Sequence, residues 1–331
     1  MSPQPGSLES PTSMRYVSVL MGFHFCGSVL LVWLNKIAYN EGYRWTLLLT
    51  ALSSLFAYVA LDLVARHGVL QRQSVPLTES LPLSLALCGF VISNDFALRY
   101  NDPGVYELVK VLVTLGIVLA QSYLCSVAQS PGEGLTLLAM AIGMTLTMVS
   151  SFNFNFLGSL WAVILVTCTS FYQVRIHSSL VGRKYNPSQL LRDQSLWSFP
   201  MLFVMTFLLE DASELMGYTP SLSAISLIFI MCLLTLAVNL SIYLILSETL
   251  PISYNVLCNG EVCLLISLGY IFFGDPLTIK SIVGVVVTIP TLVWYTRLRL
   301  AKAQSNDNTP VARKSKSASE VDPFDIELDG I

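Results

Sequence analysis

Lys110 stands near the middle of an apolar run, 103–125, with Tyr106 four residues before it and Glu107 three before it. Residues four or seven apart lie along one helical face, so Tyr106 and Lys110 share a face, and Tyr254 and Glu261 share another further along the chain. An ammonium at the centre of a membrane helix costs roughly 2.5–3.5 kcal/mol to insert, so it turns toward protein or water and marks a path for substrate or ions. Asn94 precedes the first of these pairs and Asn239 the second, each inside its own apolar stretch. An amide at such a place bonds either a polar ligand or a neighbouring helix. This is chemistry for holding a molecule, not for breaking bonds. The chain has three histidines, at 24, 67 and 177, no paired metal-ligand motif, no nucleophile elbow and no phosphate-cradling Gly loop. No catalytic residue, metal, cofactor or nucleic-acid partner is expected, and the protein reads as a non-enzyme. Nor is there the ring of like charges or the filter sequence that a channel needs.

The elements that position these residues are hydrophobic throughout. Of 331 residues, 54% are hydrophobic and 12% charged, where a soluble domain carries about a quarter charged. Ten apolar runs follow one another at 16–37, 45–65, 81–99, 103–125, 134–152, 157–176, 195–213, 223–246, 252–272 and 277–297. Each approaches the roughly 20 residues that cross a hydrocarbon core as a helix. Backbone in lipid must satisfy its own hydrogen bonds, and the alternation of a barrel is missing, so the expected fold class is an all-α polytopic membrane protein. Arg15, Arg66, Arg72, Arg183, Lys184, Arg192, Arg297, Arg299 and Lys302 gather on one side, against Lys36, Arg44, Arg99 and Lys280 on the other. By the positive-inside bias both termini face the cytosol, which an even number of spans permits. Glu210, Asp211 and Glu214, acidic with no base among them, fall on the opposite side. Residues 1–13 lack a basic n-region, so no cleaved signal is expected and the first helix itself directs insertion into a secretory-pathway membrane. The seven cysteines lie in or beside the runs, where structural disulfides are not expected.

Asn94, Tyr106 and Lys110 in runs three and four are echoed by Asn239, Tyr254 and Glu261 in runs eight and nine. Five spans separate the echoes, and an odd number inverts one half relative to the other. The expected organisation is a cytosolic N-terminus at 1–13, a first five-helix repeat at 14–152, an inverted second repeat at 153–300, and a disordered cytosolic tail at 301–331. That tail is basic at Arg313, Lys314 and Lys316, then acidic from Glu320 to Asp329. Ser315, Ser317 and Ser319 offer phosphorylation sites, and Asp322-Pro323-Phe324 and Asp325-Ile326-Glu327 read either as trafficking peptides or as plain solvated tail.

The stretch Asn94 to Leu124 resembles helices three and four of the triose-phosphate and nucleotide-sugar transporter family, within the drug/metabolite transporter superfamily. Asn35-Lys36, Asn155 to Gly158, Gln189-Leu190-Leu191 and the long stretch Asn239 to Tyr295 carry the resemblance onward in the right order. It implies ten helices in two inverted repeats around a central cavity. It also implies obligatory exchange of a phosphorylated metabolite, commonly a nucleotide sugar against a nucleoside monophosphate, in the Golgi or ER membrane.

Under that resemblance Lys110 anchors a substrate phosphate, the alternative being an intrahelical pair with Glu107. Asn94, Asn239, Tyr106 and Tyr254 line the cavity or pack the bundle, and Asn255, where the family often has Gln, approaches a base or ribose. Lys280 and Lys36 stand where they would draw anions to a luminal mouth, or snorkel to headgroups. Glu261 departs from the pattern, since relatives usually carry Lys there. Three readings stay open: Glu261 pairs with Lys110 as a gate, it is protonated and couples transport to pH, or the substrate is not the usual dianion. The rival is a non-transporting scaffold or trafficking adaptor of the same fold. Expected partners are therefore the phosphorylated metabolite and the bilayer, with a homodimer and tail-bound adaptors left open.

Overall fold

The computed structural model describes residues 11–68, 74–101, 103–125, 130–148, 155–181, 185–210, 212–217, 221–256, 258–259 and 279–307. Among these there is no strand. The helices are α1 (Pro11–Asn40), α2 (Thr46–Arg66), α3 (Leu77–Tyr100), α4 (Pro103–Cys125), α5 (Pro131–Met148), α6 (Phe156–Leu180), α7 (Pro187–Leu209), the short α8 (Ala212–Gly217), α9 (Leu222–Glu248) and α10 (Ile279–Asp307). A further helical segment occupies 251–256, between α9 and α10.

Local chemistry sets the ends. α1 stops at Gly42, whose φ of 86° suits a residue without Cβ. Gly42 N–H donates to the Tyr39 carbonyl at 3.1 Å and Tyr43 N–H to Ala38 at 2.9 Å, which is the Schellman closure. α5 opens with Ser130 and Glu133 in a reciprocal capping box: Ser130 N–H donates to Glu133 Oε2 at 2.8 Å and Glu133 N–H to Ser130 Oγ at 3.3 Å. The Asn155 side chain caps α6 by accepting from Leu157 N–H at 3.1 Å, and Ser221 does the same for α9 through Ala224 N–H at 3.1 Å.

Among the described residues, five helices are long and apolar enough to cross a membrane: Arg15–Asn40 of α1, α2, α3, α6 and α9. Shorter apolar stretches lie in α4, α5 and α10, at Leu112–Tyr123, Pro131–Leu146 and Ile282–Tyr295. α7 begins eight residues before the apolar run that starts at 195. Pro187 sits in its first turn and the Gln189 side chain accepts from Asn186 N–H at 3.4 Å, so the helix starts ahead of its charges. It then buries Arg192 and Asp193 as a pair 2.7 Å apart. Only the first part of the ninth run, and neither 1–10 nor 308–331, falls among the described residues.

The bundle is held by four main pairs, α5 with α10, α3 with α6, α2 with α7 and α1 with α9, joined by α4 on α6 and on α5, α3 on α7 and α2 on α9. Small residues set the closest approaches. A methyl at Gly143 would stand 2.6 Å from Thr288 Oγ1 and 3.1 Å from the Gly284 carbonyl oxygen, so α5 and α10 meet almost backbone to backbone. On α4, a methyl at Gly116 would stand 2.8 Å from Val166 Cγ1 of α6. Outward faces remain apolar, with Val19 73% and Leu119 71% exposed, as a lipid-facing surface requires.

The α5–α10 contact makes Gly143→Leu destabilising by about 1–3 kcal/mol, the usual cost of forcing bulk into a filled interface. Thermal unfolding in detergent should show a lowered midpoint for this variant and an unchanged one for Leu119→Ala on the lipid face.

Candidate functional site

The interior polar residues form a set of junctions, each tying one helix to another. Tyr106 on α4 donates its hydroxyl to Asn94 Oδ1 on α3 at 2.7 Å. Two turns along the same helix, Thr114 donates to Asn255 Oδ1 at 2.6 Å and accepts from Asn259 Nδ2 at 3.0 Å. The proton direction is consistent along that relay, amide to hydroxyl to carbonyl, and all three residues are buried. Lys110 lies one turn from Tyr106 and one turn from Thr114 in the helix register.

Tyr254, the neighbour of Asn255, turns to the other side. Its hydroxyl is 3.2 Å from His24 Nε2 on α1 and the two rings meet edge to face at 5.6 Å. His24 Nδ1 is 2.9 Å from Ser241 Oγ on α9. The Ser241 hydroxyl gives its one proton to the Val238 carbonyl at 2.6 Å, so it accepts from His24, and the ring proton belongs on Nδ1. Nε2 is then the acceptor for Tyr254 O–H. Ser28, 3.5 Å from Nε2, gives its own proton to the His24 carbonyl at 2.8 Å. A third junction joins α6, α7 and α9. The Tyr172 hydroxyl is 3.3 Å from that of Tyr243 and accepts from Gln194 Nε2 at 3.2 Å.

Charges close the two ends of the bundle. Where α2 leads into α3, Arg175 Nη2 pairs with Glu79 Oε2 at 2.8 Å, Ser179 adds a hydroxyl at 3.3 Å, and Asp193 Oδ2 accepts from Val75 N–H at 2.6 Å. At the opposite end Glu210 takes the first amides of α2, Leu47 N–H at 2.7 Å and Leu48 N–H at 3.3 Å, where the helix dipole favours an anion. Asn101 donates to the Gly158 carbonyl at 3.0 Å and Asn155 to the Tyr100 carbonyl at 3.1 Å. The Asn155 to Gly158 motif thus binds α6 to the end of α3.

Of the residues singled out in the sequence, the structure brings Asn94 to Tyr106, and Asn255 to the same helix through Thr114. Tyr254 joins α1 and α9 instead. Asn239 is half-buried on α9 and makes no hydrogen bond to a described residue, so the amide of the second half does not repeat the role of Asn94. Lys36 is exposed near the end of α1, and Lys280 is the second residue of α10. The side chains of Glu107, Lys110 and Lys280, and Glu261 entirely, lie outside the described residues. Sequence reasoning passed over His24, Thr114, Ser241 and Asn259. For two of them the signal was periodic: Thr114 is four residues past Lys110, and Asn259 four past Asn255.

No family model matches the chain. UDP-xylose transporter 1 of Arabidopsis thaliana is 22% identical over 302 residues, covering 90% of this chain and 85% of its own length. GDP-fucose transporter 1 of Dictyostelium discoideum is 20% identical over 303 residues, covering 87% of this chain and 82% of its own length. The chain is a homologue of nucleotide-sugar transporters. These relatives are transporters and not enzymes, in agreement with the reading of the residues. A solved crystal structure 16% identical in sequence superposes with a TM-score of 0.66 over 86% of this chain and 99% of that one. At that identity the likeness is one of fold. The shared fold extends over most of both chains.

The Thr114 relay is a single hydroxyl serving two buried amides. Thr114→Val should cost about 1–3 kcal/mol, because it removes the shared partner while keeping the shape. Thr114→Ser should recover most of the loss, read as unfolding midpoints of the two variants against the parent.

Proposed function

We propose that this protein is an alternating-access carrier of the ER or Golgi membrane that exchanges a nucleotide sugar for a nucleoside monophosphate. The observation that carries the reading is homology to transporters of UDP- and GDP-sugars along nine-tenths of the chain. The interior junctions support it, since they gather hydrogen-bonding side chains from α1, α3, α4, α9 and the 251–259 segment around one interior.

The architecture in this proposal is ten spans in two inverted five-helix repeats, divided at 14–152 and 153–300. The packing supports that division. Counting α9 as span eight and α10 as span ten, a shift of five exchanges the α3–α6 pair with α9–α1 and the α3–α7 pair with α9–α2, while α2–α7 and α5–α10 map onto themselves. The start of α1 and the end of α10 lie at the end of the bundle where α2 joins α3, which supports both termini on one side, assigned to the cytosol by the Lys and Arg bias. In the outward half, Lys36 and Lys280 draw the anion in.

Within the cavity Lys110 takes the phosphate, flanked by Tyr106 and Asn94, with Glu107 on the same helix one turn behind. Tyr254, Asn255 and Asn239 serve the second half. Glu261 stands in for the family's Lys and faces Lys110 across the pseudo-twofold axis as a gate that substrate phosphate displaces. The same substitution favours one second reading, a scaffold that no longer transports.

Purified protein in liposomes preloaded with UMP or GMP should take up a labelled UDP- or GDP-sugar. Lys110→Gln should weaken apparent affinity about 10- to 100-fold, the equivalent of one charged hydrogen bond of about 1.5–3 kcal/mol. Glu261→Lys should change substrate preference. Absence of exchange across the whole panel, with intact thermal unfolding, would leave the scaffold.

A further inference from the structure

Two buried glutamines have no place in the junctions described above. Gln121 on α4 is 0% exposed, and neither its Nε2 nor its Oε1 has a hydrogen-bond partner. Gln173 on α6 is 8% exposed, and its Oε1 is buried without a partner. Native interiors rarely leave such atoms unused, and two on adjacent packed helices call for a reason.

Helix register shows where both point. On α4, Val113 and Gly116 face α6, whereas Thr114 faces the 251–259 segment. Gln121 follows Thr114 by seven residues, which returns it to nearly the same azimuth two turns further along. On α6, Tyr172 points to α7 and α9 and Val174 to the α4 cluster. Gln173 lies on the arc between them, toward the interior that α4, α6 and α9 enclose. Both amides therefore belong to the interior, on the side of the Thr114 relay away from Tyr106.

The free atoms define the ligand. Each Oε1 is an acceptor and requires an N–H or O–H donor, which an ionised phosphate does not offer. Gln121 presents a donor beside an acceptor, the pattern that matches a lactam edge of a nucleobase or the hydroxyls of a sugar. We propose that Gln121 and Gln173 form the subsite for the uncharged, hydrogen-bonding part of the substrate, beyond the phosphate held at Lys110. This rests on the carrier reading above and names which part of the nucleotide sugar lies toward the end of the bundle where α2 joins α3.

The test compares Gln121→Leu and Gln173→Leu with the parent, measuring thermal midpoints and the ligand-induced shift with a panel of UDP- and GDP-sugars, UMP, GMP and galactose 1-phosphate. A subsite residue gives an unliganded midpoint equal to or above the parent's, because an unpartnered polar group has been replaced by an apolar one, together with at least about tenfold weaker nucleotide-sugar binding. Loss of the UMP or GMP response assigns the base, and loss of the galactose 1-phosphate response assigns the sugar. Lowered midpoints with affinities kept within about twofold would mean helix-to-helix glue and overturn the proposal. Parental binding and midpoints in both variants would also overturn it, while leaving the carrier reading intact. A parent that responds to nothing in the panel removes both. Should a Leu variant fail to fold, Gln121→Met keeps the side-chain length and is read by the same criteria.

Discussion

A polar side chain in hydrocarbon has no water to bind, and most of the described hydroxyls, amides and charges in these helices find a partner within the protein. Most of the small ones turn back on their own helix. Thr50 bonds the Thr46 carbonyl, Thr145 Ala141, Thr167 Val163, Thr206 Leu202 and Thr288 Gly284, all four residues back and between 2.7 and 3.0 Å. These groups are silenced locally and leave the helix surface apolar. What remains must reach across, and those crossings hold the bundle together.

The crossings sort by depth. At the ends of the bundle they involve full charges and helix termini, as in Arg175 with Glu79 and Glu210 on the first amides of α2. In the interior, among the described residues, they are neutral, built from Tyr, Asn, Gln, Thr, Ser and one His. Neutral groups exchange partners at small cost compared with a charge stripped of its counterion. The neutral interior ties are therefore the cheaper ones to exchange, and the charged ends are the firmer ties.

Periodicity and hydropathy revealed the helical class and most of the described helices, because lipid allows few alternatives to an apolar helix. They failed at α7, where Arg192 and Asp193 lower the hydropathy but neutralise each other, so the helix runs straight through them. The starting signal was present in Asn186, Pro187 and Gln189. In the site, Asn94 with Tyr106 could be anticipated from their neighbourhood, but His24 could not: a lone histidine in an apolar run gives no hint that its partners stand 217 and 230 residues away. On α9, Ser241, two positions past Asn239, is the residue that receives the His24 hydrogen bond. Gln121 and Gln173 sit among apolar neighbours, and only burial without a partner sets them apart.

Tyr254 and Asn255 are adjacent in the chain, so their side chains leave the helical segment about 100° apart. One is fastened to α1 and the other to α4. Twisting the segment about its own axis strains both attachments at once. The segment is locked against spin and free to move only by tilting or by letting go of an attachment. Rotation of this segment therefore costs at least one of two buried hydrogen bonds.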